Sequence, residues 1–121
     1  MNSEEFGIVV QDTVASIQKL LVIKGAEYAG PTADRLAAFT RSGDLAGVSP
    51  LQCLIIYMAK HYDAVATYIR DDAAGIERQR SEPIEGRLDD LINYCILAKA
   101  IIQERRNQLT LPLGDVSSGT R

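Results

Sequence analysis

Glu82-Pro83-Ile84-Glu85-Gly86-Arg87-Leu88-Asp89-Asp90-Leu91-Ile92-Asn93-Tyr94-Cys95-Ile96-Leu97, running on through Ala98 to about Glu104, is apolar around most of a helical wheel. At roughly 100° per residue, Ile84, Leu88, Leu91, Cys95, Ala98 and Ile102 share one stripe, widened by Ile92 and Ile96. Tyr94, Leu97 and Ile101 form a second apolar sector, and Asp90 sits within it. A helix with two apolar sectors is covered on several sides, so it belongs at the centre of a bundle or in an interface between copies. Burying a carboxylate there is costly without a partner, which singles out Asp90. The expected partner is Lys60 or a backbone or amide donor. The plainer reading is an acid that caps or pairs with a neighbouring helix.

Outward from that helix, the other elements read as helices too. Phe6, Val10, Val14, Ile17 and Leu21 recur at helical spacing over about Ser3 to Gly25. Glu4 and Glu5 suit the positive end of that helix. The helix could continue through Glu27 before Gly30-Pro31 stops it. A short helix is expected over Ala33 to Thr40, with Leu36 and Phe39 inward. Arg41-Ser42-Gly43-Asp44-Leu45-Ala46-Gly47 reads as a loop. Ser49-Pro50-Leu51-Gln52 is a capping box with proline at the first helical position. Leu51, Leu54, Ile55, Met58, Tyr62, Val65 and Ile69 then make one stripe to about Asp71. Lys60, Asp63 and Thr67 lie on another face beside Ile56. Residues 72–81 read as a flexible, exposed loop, followed by a cap at Ser81 with Pro83 in the first turn. No strand pattern appears. The fold expected is all-α: a small bundle of three long helices, near residues 3–27, 50–71 and 83–105, plus one short helix. Residues 1–106 form the single domain, and 107–121 a flexible tail marked by Thr110, Pro112, Gly114 and Ser117-Ser118-Gly119.

A chain of 121 residues is long enough for one core without staples. Its formal net charge of −3 argues against a dedicated nucleic-acid binder. No uninterrupted apolar run reaches the roughly 18 residues of a membrane span, and the acidic start is unlike a signal peptide. Cys53 and Cys95 have no metal-ligand spacing and read as small core residues in a reducing compartment, so a cytoplasmic location is expected. The apolar excess of the helix 83–105 leads us to expect a homo-oligomer that uses part of it.

Nucleophile constellations and phosphate loops are missing. His61, the single histidine, lies beside its helix's apolar stripe and reads as a satisfied, partly buried ring rather than a general base. What remains is acidic and helical. Glu85 and Asp89 are four apart, and Asp90 and Asn93 three apart. Mg²⁺ takes one or two carboxylates together with substrate phosphates and water. Glu27 and Asp63 are further acids within reach of such a bundle site, with Lys60 as a phosphate partner. Each acid taken singly reads more readily as a solvated surface charge than as a ligand.

The order Lys24-x-x-Glu27-Tyr28, then Ile56-x-x-x-Lys60-x-x-Asp63, then Glu85-x-x-x-Asp89-Asp90-Leu91-x-Asn93-Tyr94 resembles phage and prophage proteins of the nucleotide-modification-associated domain family. That family looks related to the MazG-like all-α nucleoside triphosphate pyrophosphatases. The resemblance spans about residues 20–104 and nominates Glu27, Lys60, Glu85, Asp90 and Asn93 as the functional face. It implies a nucleotide-binding protein, and a Mg²⁺-dependent (d)NTP pyrophosphohydrolase as the enzyme form. Glu27, Glu85 and Asp90 would be the metal ligands, and Glu27, Lys60 and Asp90 the catalytic groups. Lys60, Asn93 and Tyr94 would hold the nucleotide. Two positions depart from the family pattern: Arg87 stands three before Asp90, and Ala59 precedes Lys60. No E-E-x-x-E helix is present. The alternative is a non-catalytic helical module of phage origin that binds a nucleotide or a host protein.

Overall fold

The structure, a computed structural model, describes residues 1–29 and 36–110. Four helices follow in order: α1 (Ser3–Ala29), α2 (Ala37–Ala46), α3 (Pro50–Ala74) and α4 (Ile84–Thr110). Among the described residues there is no strand, so the chain is an all-α bundle of three long helices and one short one. The expected Gly30-Pro31 stop, the Ala33 helix start and the tail residues 111–121 lie outside the described residues.

The best-defined helix start is α3. Ser49 accepts from the Gln52 backbone N–H at 3.1 Å, and the Gln52 side chain accepts from the Ser49 N–H at 2.9 Å, a complete capping box with Pro50 in the first turn. Both donors would otherwise be orphaned at the helix end. Ser49→Ala should therefore cost about 1 kcal/mol in a denaturant melt. A loss below about 0.3 kcal/mol would mean water caps the helix equally well. At the other end, Gly75 adopts φ +69 and closes α3 through its N–H to the Asp72 carbonyl.

Several expected boundaries move. α2 does not end at Thr40: the stretch 41–46, read as loop, is helical, and Gly47 (φ +75) ends it. Gly43 explains the error. A Cβ there would lie 2.6 Å from the Val48 carbonyl oxygen, so the glycine permits close approach of the α2–α3 turn rather than breaking a helix. α1 continues through Gly25 to Ala29, and α4 covers residues 107–110, which we expected in the tail.

The core joins α2, α3 and α4. Leu36, Phe39, Leu54 and Ile101 are buried together, with Leu51, Met58, Tyr94, Leu97 and Ala98 packed against them. On α4 this is the second apolar sector, the one that holds Asp90. The stripe that looked primary is largely uncovered: Leu88, Ile92, Ile96 and Ile102 are 37–43% exposed, and Cys95 is exposed while Cys53 is buried. A hydropathy pattern records how much of a helix is apolar, and the neighbours decide which sector they cover. On α1, Ile17 is buried but Phe6, Val10 and Val14 are exposed. Only six apolar residues are buried among the described residues, against twenty large exposed ones. One copy leaves most of its large apolar side chains uncovered.

Averaged over a window, α1 residues Ser3–Lys24 are long and apolar enough to cross a membrane by length and composition, although they contain no uninterrupted apolar run of that length. Asp12 and Lys19 lie inside that span, and ionised side chains at such depth are costly.

Candidate functional site

α3 and α4 pack with His61 facing Asp90. The imidazole Nδ1 is 3.3 Å from an Asp90 carboxylate oxygen and 3.4 Å from Arg87 Nη1. Tyr94 stacks obliquely on the ring, 5.5 Å between centroids, and itself neighbours Tyr57. One ring nitrogen cannot serve both neighbours in the same way. With a proton on Nδ1 the ring donates to Asp90; without it, the nitrogen accepts from Arg87. The position of one proton therefore chooses His61's partner. Arg87 also approaches Glu82, 3.6 Å away.

The chemistry of that proton follows from position. Burial, first, pushes the His61 pKa below its ordinary value; Asp90 opposes this, while Arg87 and Lys60 add to it. A base whose folded pKa is depressed binds more protons unfolded, so its contribution to stability is fully present above about pH 6.5. That contribution is lost as pH falls through the lowered folded value. We expect the melting temperature to drop on acidification from pH 7.5 to 5, and His61→Asn to flatten that slope. A melting temperature that rises toward pH 5 would mean that attraction to Asp90 outweighs burial.

Asn93 lies one turn beyond Asp90 on α4. It is buried, 6% exposed, and its side-chain oxygen has no hydrogen-bond partner. A buried acceptor left unsatisfied costs about 1–3 kcal/mol, which is unusual outside sites that use it.

Residues 72–81 were expected to be a flexible, exposed loop; they are exposed, but 72–74 continue α3 and the segment after Gly75 is fastened to it. Asp71, near the end of α3, is buried and takes two hydrogen bonds from Arg78, at 2.7 and 3.0 Å, and one from Arg80 at 3.1 Å. Hydrogen bonding from Arg78 holds the Asp71 carboxyl below its ordinary range and raises the Arg78 pKa in turn. Arg80 also donates to the Arg78 carbonyl and lies 4.7 Å above the Tyr68 ring. One carboxylate thereby fastens the segment after Gly75 to α3. The sequence signal was available: an acid at the end of a helix, a glycine stop, and two arginines within nine residues.

Between α3, this fastened segment and the start of α4 lies an open cleft of about 300 Å³. Asp63, Thr67, Arg78, Arg80, Ser81 and Arg87 line it, with Glu82 beside them. Arg87 belongs both to this cleft and to the His61–Asp90 pair, so the two halves are contiguous.

Of the nominated residues, the structure brings Asp90 and Tyr94 together around His61, with Asn93 buried one turn on. The expected Lys60 partner of Asp90 is replaced by His61, the next residue along α3 and about 100° around it. Lys60, Glu85 and Glu27 have exposed side chains. Among the described residues no three acidic, histidine or cysteine side chains gather in a group fit to hold a metal. Glu27, Glu85 and Asp90 do not form one such group among the described residues. Sequence reasoning missed Arg87, Asp71, Arg78 and Arg80. Comparison with protein-family models, curated proteins and solved structures finds no match to this chain.

Proposed function

We propose that this chain is a nucleotide-binding helical protein of the phage type, akin to the MazG-like bundles. Its phosphate end would occupy the arginine-lined cleft, and its remainder the His61–Asp90–Asn93 cluster. The observation that carries this reading is the double membership of Arg87, which joins a guanidinium-rich cleft to a buried polar cluster with an unsatisfied acceptor. Guanidinium groups match phosphate oxygens with paired N–H donors, and each has five N–H groups. Asp71 takes two from Arg78 and one from Arg80, which leaves donors on both. Asp63 and Glu82 in the same cleft supply acceptors for hydroxyl groups, which favours a nucleotide over a bare anion. The Asn93 oxygen would accept from an N–H of the ligand.

Binding is the common part of both forms of this reading, with or without turnover. A pyrophosphohydrolase remains the stronger form of the proposal, with pyrophosphate as its signature product. The proposal includes a cytoplasmic location and a homo-oligomer, the latter supported by the uncovered stripe of α4.

The test is a melting series with each deoxynucleoside triphosphate, with and without Mg²⁺, followed by an assay for released pyrophosphate. A ligand at about 100 times its Kd stabilises by about 2.7 kcal/mol. For a chain of this length that is a rise of roughly 10 °C. No shift with any triphosphate at millimolar concentration would end the reading. A shift without pyrophosphate would leave the binding module.

A further inference from the structure

Exposed large apolar side chains stand at regular spacing along α3, in addition to those of α1 such as Phe6, Val14 and Val22. Ile55, Tyr62 and Ile69 are 64%, 63% and 61% exposed and stand seven residues apart. Between and after them at the alternating spacing of four and three come Ala59, Ala66 and Ala73, of which Ala59 and Ala73 are exposed. Together they form an unbroken coiled-coil seam from 55 to 73 with no charged residue in it. α2 and α4 pack elsewhere on α3: Phe39 and Ser42 reach Tyr57, and Asp90 reaches His61. No α1 residue packs on α3 among the described residues.

We infer that this seam is the interface with a second copy of the chain, the two α3 helices running antiparallel about a two-fold axis near residue 64. The pattern of large and small side chains argues for that orientation. Aligned antiparallel, Ile55 meets the partner's Ala73, Tyr62 meets the partner's Ala66, and Ile69 meets the partner's Ala59. Every large side chain faces a small one, which is self-complementary, as a two-fold interface requires. A parallel pair in register would instead set Tyr62 against its own copy and alanine against alanine, with steric conflict and voids in alternation.

Size sets the strength of this contact. The seam is about 27 Å long and roughly 11 Å wide. Its footprint is roughly 300 Å² per copy, about 600 Å² for the pair, which places it among the small, weaker interfaces. The stripe of α4 formed by Leu88, Ile92, Ile96 and Ile102, at 37–43% exposure, is less bare than this face. Asp63 and Thr67, which line the cleft, directly follow Tyr62 and Ala66, so the clefts of two copies flank the seam. The inference stands on packing and does not depend on the nucleotide reading.

Sedimentation at 1–100 μM tests it first. The wild-type chain should run at twice 13.2 kDa, and Tyr62→Glu should weaken association at least about 100-fold while helix content by circular dichroism stays unchanged. Cross-linking tests the register without depending on that variant. In a Cys95→Ser background, Ala59→Cys combined with Ile69→Cys should yield a covalent dimer on mild oxidation. Within one helix these positions are about 15 Å apart, beyond disulfide reach. Ile55→Cys alone should not cross-link. A monomer at 100 μM would overturn the inference. So would cross-linking by Ile55→Cys alone, the mark of a parallel pair, or a monomer that partitions onto lipid vesicles.

Discussion

Leu54→Ala should destabilise the chain by about 3 kcal/mol, within the 2–5 kcal/mol range of buried leucine truncations. Leu54 is the most buried apolar side chain described, 2% exposed, at the centre of the cluster with Leu36, Phe39 and Ile101. The loss comprises the transfer energy of the removed carbons and the void left behind. Cores collapse around voids only when neighbours have slack, and here the neighbours come from three separate helices. In a heat melt the loss corresponds to a fall of roughly 12 °C. Leu45→Ala is the matched control, because Leu45 is 84% exposed and should stay within about 0.5 kcal/mol of wild type. Equal effects of the two variants would contradict the assigned core.

Arg87→Ala should reduce affinity for a deoxynucleoside triphosphate by about 30-fold, the equivalent of about 2 kcal/mol for a hydrogen bond to a charged group. Arg87→Lys should recover little, since a lysine keeps the charge but loses the planar fork. Stability should change less than binding, because Arg87 loses only a long contact to Glu82 and one to the imidazole. The variant has a second expected consequence. Arg87 lowers the His61 pKa, so its removal should raise that pKa. An unchanged affinity together with a raised His61 pKa would leave the geometry standing and remove Arg87 from the ligand site.

Much of the fold was readable because its signals are local. The Ser49–Gln52 box and Pro50 act within one turn and were found where expected. The apolar stripe expected on α3 instead divides: Leu54 is buried with Leu51 and Met58 against the core, and Ile55, Tyr62 and Ile69 are exposed. The segment 41–46 misled for the same reason: arginine, serine, glycine and aspartate favour turns locally, but close packing of Gly43 against Val48 keeps them helical. For α4, the helix was legible and its orientation was not. Its two apolar sectors are similar on a wheel, and contact with α2 and α3 selected the one that contains Tyr94, Leu97 and Ile101.

The site divides in the same way. Asp90 stood out because a carboxylate in an apolar sector needs a partner, and it has one. Choosing Lys60 over His61 was an error of rotation about α3, which a single sequence cannot set. Asn93 was nominated by resemblance, and its burial with an unsatisfied oxygen is a property of the packed molecule. Asp71 with Arg78 and Arg80 escaped notice because a polar, glycine-containing stretch reads as loose; one buried carboxylate with three hydrogen bonds fastens it instead.

The single histidine allows a direct measurement on the proposed nucleotide site. His61 can be followed by proton nuclear magnetic resonance without assignment, as a pH titration with and without saturating deoxynucleoside triphosphate. A phosphate chain on Arg87 would offset the positive charge that now depresses the imidazole, so nucleotide should raise the His61 pKa. By linkage, affinity should then strengthen below neutral pH. A His61 titration curve that nucleotide leaves unmoved, at concentrations where binding is saturated by an independent measure, would contradict the site.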